Sequence, residues 1–227
     1  MSVGKLAVQT LLWAMAGVIV VAVLLFTSAW TIDYWQAWVF IVIFVGCTNA
    51  IGIYLALKDP ALLDRRRKAG LINEQRPAQR LALSLVRLSV LAVLVVSGLD
   101  HQFMWSHMPP IVSVVGDVLV ALGGFMVLLV FRANTYGGSS IEIVEGQKVI
   151  SSGPYAIVRH PMYVGIIVIA VGAPLALGSW WALLAVVCAT TALIWRILDE
   201  ETLLRSDLAG YNEYALRVRY RLVPFVW

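Results

Sequence analysis

Four apolar runs, Leu6 to Trp30, Tyr34 to Leu57, Leu81 to Leu99 and Ile111 to Phe131, leave this chain few folds to choose from. Each is nearly free of charge and near or above the roughly 20 residues that a helix needs to cross a bilayer. Two shorter runs follow, Met162 to Leu177 and Trp180 to Leu198, separated by Gly178-Ser179. Gly172 and Pro174 weaken the first of these, so the two read as a tight helical hairpin. With 61% of 227 residues hydrophobic and 13% charged, an ordinary soluble domain is excluded. The expectation is an all-α integral membrane protein of about six transmembrane helices, the last two a helical hairpin. The first run is too long for a secretory signal and is read as a retained span.

The basic residues fix the orientation of that expectation. Lys5, the seven Lys and Arg between Lys58 and Arg80, then Arg87, Arg132, Lys148, Arg159, Arg196, Arg205, Arg217, Arg219 and Arg221 account for all 17, and all fall on one side. The opposite loops, Thr31 to Asp33, Asp100 to Pro110 and Gly178 to Ser179, hold none. The positive-inside rule therefore places both termini in the cytoplasm. A net charge of +4 reflects this topology and anionic lipid, with no reason to invoke nucleic acid. Lys58 to Lys68 reads as a short helix started by Pro60 on the membrane surface, with a topological role or a role in steering an anionic lipid substrate. Cys47 and Cys188 lie inside spans as small core residues. The chain reads as a single membrane domain, 1–227, with four spans in 1–131 and the polar chemistry in 132–227. The short six-span form suggests a multi-pass protein of a prokaryotic inner membrane.

Within the second half, Gly153 to Gly165 places Arg159, His160 and Tyr163 at the threshold of an apolar run. Pro161 suits the first position of a helix, whose N–H groups and dipole favour an anionic ligand group beside the planar fork of Arg159. By spacing alone, a capped helix with a snorkelling arginine satisfies the same residues. The preceding loop carries Asn134, Tyr136 to Ser140 and a strand-like Ile141 to Val144, and reads either as a connector or as one wall of a pocket. Asp199, Glu200 and Glu201 follow the last span, at what reads as a helix C-terminus, where negative charge is misplaced unless a cation compensates it. A cationic ligand or a neighbouring arginine does so equally well. Tyr211, Tyr214, Arg217 and Arg221 share a helical face as anchors or as a lid.

Other chemistries fail on inventory. His101, His107 and His160 are the only histidines, the first two on the far side, so no metal centre is expected. GxSxG, P-loop and GxGxxG motifs are absent. Acids for a cation, an arginine and helix N-terminus for an anion, and aromatic faces for stacking suit a zwitterionic cofactor.

The ordered set GPYxxVRHPxYxG (Gly153 to Gly165), EExxL (Glu200 to Leu204), GYxxYxxRV (Gly210 to Val218) and Pro224 resembles the isoprenylcysteine carboxyl methyltransferase family, in a bacterial-type form, with phospholipid N-methyltransferases as more distant relatives. The resemblance covers roughly Asn134 to Phe225. It implies S-adenosyl-L-methionine as cofactor, bound in a cytoplasmic C-terminal pocket closed by loop and tail. It also implies that Gln147, Val149, Gly153, Tyr155, His160, Pro161, Tyr163, Glu200 and Glu201 shape the cofactor site. Arg159 and Arg217 are then expected to orient the acceptor, and Glu201, or else His160, to accept a proton from a thiol or amine; a carboxylate acceptor needs no base. Gln147 stands where eukaryotic members carry a histidine. The expected acceptor is a membrane lipid or a lipophilic or prenylated molecule, first an isoprenylcysteine-like carboxylate, with a phospholipid amine or small thiol as alternatives. An NADPH-dependent membrane reductase shares the ending Tyr220 to Pro224, and a non-catalytic membrane binding protein is the third class.

Overall fold

The computed structural model describes the backbone of residues 3–68, 76–136 and 146–227, with side chains in the first stretch from residue 15 to 66. The Gly-rich segment 137–140, the strand-like 141–144 and residues 69–75 of the basic loop lie outside the described residues. Every described element is helical: α1 (Val3–Ala29), α2 (Trp35–Lys58), α3 (Pro60–Lys68), α4 (Pro77–Phe103), α5 (Pro110–Ala133), α6 (Pro161–Ala176), α7 (Leu183–Asp207) and α8 (Tyr211–Arg217), with a 3-10 turn at Gly153–Ala156. Proline opens α3, α4, α5 and α6, where its missing N–H costs nothing and its fixed φ suits the helix. Asp59 caps α3 by accepting from Leu62 N at 3.0 Å.

Helices α2, α4 and α5 are each long and apolar enough to cross a membrane. The described part of α1, from Met15 to Ala29, and α6 are apolar but shorter. At 1.5 Å per residue the 16 residues of α6 rise about 24 Å, less than the roughly 30 Å of a hydrocarbon core.

The hairpin expectation needs correction. A short turn joins α6 to α7, yet the two barely touch: α6 packs along α5, and α7 along α4. Glycine explains the choice. A Cβ at Gly123 would stand 2.7 Å from the Gly165 carbonyl oxygen, and one at Gly172 would stand 2.8 Å from that of Gly116, so α5 and α6 meet backbone to backbone. Close approach of this kind is how helices gain packing energy where lipid removes the hydrophobic drive. The acids need correction as well. Helix α7 continues to Asp207, so Asp199, Glu200 and Glu201 are interior residues. The terminal dipole fades within the last turn and is not what their charge opposes.

One end of the bundle is closed by the α1–α2, α4–α5 and α6–α7 connections. There the buried Tyr34 hydroxyl donates to Leu177 O, and Asp100 accepts from the Ser106 amide at 2.7 Å, the Ser106 hydroxyl at 2.7 Å and the Ser179 hydroxyl. Trp30, Trp35, Trp38, Trp105, Trp180 and Trp181 are exposed around it, as an interfacial aromatic belt requires. The candidate site lies at the other end.

Candidate functional site

The site is assembled where α6 begins. Gly153, at φ +59°, turns the chain in a conformation that L side chains rarely adopt, and the 3-10 turn after it carries Tyr155. Asn134 Nδ2, just past α5, donates to Tyr155 Oη at 2.8 Å, and Tyr214 Oη donates to Tyr155 O at 2.8 Å. Tyr155 thus joins the end of α5 to α8. Burial, opposed by the Asn134 hydrogen bond and helped by the charge of Glu200, pushes its phenol up to about 12.

Next in the chain, Arg159 N donates to Tyr220 O at 2.9 Å and His160 N to Arg221 O at 3.0 Å, which pins the tail beside the entrance of α6. The Arg159 side chain turns inward. Its Nε donates to Glu201 Oε1 at 2.7 Å, and its Nη1 to the carbonyls of Val218 at 2.9 Å and Arg219 at 2.8 Å. His160 Nε2 meets the same Glu201 oxygen at 3.2 Å. Arg221 Nε donates to Glu201 Oε2 at 3.1 Å, and Arg205 Nη2 stands 3.9 Å from it. Glu201, 3% exposed, is the hub of a buried knot joining α6, α7 and the tail. Burial alone would raise its carboxyl; the hydrogen bonds and charges of His160 and Arg159 prevail and hold it at about 2. A carboxylate so held is a poor proton acceptor, and two of the three nitrogens of the Arg159 fork, Nε and Nη1, are bonded to protein.

A second layer lies one turn deeper. Tyr163 Oη donates to Glu200 Oε2 at 2.7 Å and accepts from Arg196 Nε at 3.0 Å. Arg196 Nη1 donates to Gln79 Oε1 at 2.8 Å, Gln79 Nε2 donates to Asp199 Oδ2, and Arg76 Nη2 donates to Asp199 Oδ1 at 2.9 Å. Sequence reasoning missed Gln79, whose only signal was an amide in the first turn of an apolar helix.

The remaining expected residues divide. Val149 packs on the cluster of Leu208, Tyr211, Tyr214 and Ala215, and Gln147 is half-buried in the same segment. Tyr211 Oη is buried and has no hydrogen-bond partner among the described residues. Its phenol is raised first by burial and then by the charge of Glu201, with Arg159 opposing and Glu200 adding to the rise. Arg217 is exposed on the last turn of α8 and pairs with neither acid. Among the described residues no cluster of three or more His, Cys, Asp or Glu is placed to hold a metal ion.

Beneath the second layer lies an apolar cavity of about 270 Å³ between α1, α2, α4, α6 and α7. Ile166 and Leu193 line it, each one helical turn from a member of the polar layer, Tyr163 and Arg196 respectively.

Comparison with known proteins gives two findings. The chain is 31% identical over 94 residues to the Delta(14)-sterol reductase TM7SF2 of Mus musculus; the match takes in 40% of this chain and spans only 22% of that relative's length. A family model described as phospholipid methyltransferase matches residues 111–208, from the first turn of α5 to the end of α7, which takes in Arg159, His160, Tyr163, Arg196, Glu200 and Glu201.

Proposed function

We propose that this protein is an integral membrane methyltransferase that takes S-adenosyl-L-methionine at the Tyr155–Tyr163–Glu200–Tyr211 face and methylates a lipophilic acceptor. The observation that carries the reading is the apolar cavity that begins one helical turn from Tyr163 and Arg196. A polar site one helical turn from a cavity of about 270 Å³ suits an acceptor with a polar reacting end and an apolar chain. The first acceptor to test is an isoprenylcysteine-like carboxylate, followed by a phospholipid amine and a small thiol.

The residues fit the cofactor's chemistry. Glu200 is half-buried and supplies negative charge for a sulfonium or ammonium, Tyr155 and Tyr211 supply aromatic faces, and the unpartnered Tyr211 hydroxyl remains to meet a polar group of the ligand. When bound, this cofactor would supply an electrophilic methyl group to the acceptor's lone pair. The chain's contribution is alignment and exclusion of water. Arg159, His160 and Glu201 hold the entrance of α6, the acidic stretch of α7 and the tail in register. Tyr163, fixed by Arg196, orients Glu200, and the exposed Arg217 is assigned to the headgroup of an acceptor. Six helices, α1, α2, α4, α5, α6 and α7, cross the membrane in this reading, with the site end cytoplasmic as the Lys and Arg distribution requires.

The sterol reductase similarity favours a second reading, in which the same face takes NADPH. Calorimetry of the purified protein with S-adenosylmethionine, S-adenosylhomocysteine and NADPH separates the two. The methyltransferase reading expects the first two to bind and the third not to; binding of NADPH alone replaces it by the reductase. A labelled-methyl assay across the three acceptor classes then distinguishes turnover from a non-catalytic binding protein.

A further inference from the structure

The last turn of the chain presents apolar side chains to the outside in a conformation that the protein works to hold. Val223 is 50% exposed, Phe225 88% and Val226 78%. Phe225 has φ +67°, a region that bulky L residues enter only when their surroundings impose it. Here the surroundings do. The Trp227 carbonyl accepts from the amides of Arg221, Leu222 and Val223 at 2.9, 3.0 and 3.1 Å, and Val223 O accepts from the amides of Val226 and Trp227, each at 3.1 Å. The Arg221 guanidinium lies over the Trp227 ring at 5.1 Å, and the Tyr220 ring backs Phe225 with centroids 5.3 Å apart. The result is a braced turn with an apolar tip.

Its position and flanks say what the tip meets. Tyr220 and Arg221 are bonded to the backbone of Arg159 and His160, the residues directly before α6, so the turn sits at the level where α6 enters the apolar bundle. Arg217 and Arg219, in the segment that leads into it, are exposed. Apolar residues at the tip with arginines leading into it form the pattern of an element that lies in a bilayer interface, its apolar part about 5–10 Å into the headgroup boundary.

We infer that the Val223–Val226 turn is a membrane-inserting wedge whose partner is the anionic interface of the bilayer surrounding the bundle. The inference is independent of the methyl-donor reading. It ties bilayer contact to the site, because the segment that carries the wedge also supplies the Val218 and Arg219 carbonyls that hold Arg159.

The test is site-directed fluorescence in vesicles of phosphatidylcholine and phosphatidylglycerol. In a protein carrying Cys47→Ala and Cys188→Ser, single cysteines are placed by Phe225→Cys, Val226→Cys and, as a water-facing control on α8, Glu213→Cys, and labelled with bimane. Spin-labelled lipid is expected to quench the label at 225 and at 226 several-fold more than at 213, and aqueous iodide is expected to do the reverse. Iodide quenching at 225 and 226 without lipid quenching overturns the inference, as does protection from both quenchers, which would place the tip against protein, including a second copy of this chain. Two tip positions keep the test informative if one variant fails to fold.

Discussion

Glu201 and Asp117 are both interior helix residues and are almost equally buried, at 3% and 4% exposed, yet the chain treats their carboxylates in opposite ways. Glu201 is met by Arg159, His160 and Arg221, with Arg205 at 3.9 Å. Asp117, on α5, has no hydrogen-bond partner for either oxygen among the described residues, and neither has the hydroxyl of Ser113 one turn before it. Asp100 stands between them, held by neutral donors alone. Taking a carboxylate out of water costs several kcal/mol, and only well-placed partners repay it. At the Glu201 end that repayment is also a fastener, joining three segments distant in sequence. At Asp117 none of the described residues makes that repayment.

The largest expected effect breaks the fastener. Glu201→Gln leaves the guanidinium of Arg159 buried without its countercharge, and should cost about 3–5 kcal/mol. Thermal unfolding in detergent should show a large fall in melting temperature, with donor binding lost alongside; a variant that melts and binds like the parent would show that the knot is no frame. Acid does the same without mutation. With the carboxyl held at about 2 against an ordinary 4.5, the stability it provides is complete above 4.5 and is lost as pH falls towards 2. The parent's melting temperature should therefore drop through that window, and that of Glu201→Gln should drop less.

How much of this the sequence carried differs from element to element. Long apolar runs made the helices legible, and the prolines at 60 and 161 two of their starts, because length and a missing N–H are local properties; the starts at Pro77 and Pro110 were not read. That the acids of α7 need a cation was legible, but whether a ligand or an arginine supplies it was not; in the structure Arg159 and His160 meet Glu201. Which acid does what was not legible either. Glu200 and Glu201 point about 100° apart, and only the packing of α7 on α4 turns Glu201 to Arg159 and Glu200 to Tyr163. The partner of α6 was missed although a signal existed: Gly116 and Gly123 on one helix, and Gly165 and Gly172 on the other, repeat at the same spacing of seven.

A smaller loss tests the second layer, where the partners are charged but the central group is neutral. Tyr163→Phe removes a hydroxyl bonded to both Glu200 and Arg196, and hydrogen bonds to charged groups contribute about 1.5–3 kcal/mol each. Stability should fall by less than in Glu201→Gln, while binding of S-adenosylmethionine weakens; unchanged binding would place the methyl donor away from Glu200. Gly116→Ala probes a contact with no charge at all. Its Cβ would stand 2.1 Å from Ala176 N and 2.6 Å from Leu175 C, backbone atoms that cannot swing aside, so a cost of about 1–3 kcal/mol is expected. Gly46→Ala, with nothing within 4 Å, is the control and should cost nothing.

The smallest effect has the opposite sign and bears most directly on the comparison. Asp117→Asn keeps the shape of the side chain and removes the charge that no donor among the described residues meets. An unpaired buried polar group costs about 1–3 kcal/mol, and the amide retains part of that cost, so a gain on the order of 1 kcal/mol is expected. The melting temperature should rise slightly at neutral pH. The rise should vanish in acid, where both variants carry a neutral group at 117. If Asp117→Asn instead lowers the melting temperature, as Glu201→Gln is expected to do, the carboxylate has a partner beyond the described residues. The two ends would then be alike in kind, one closed by the site's arginines and the other by that further partner.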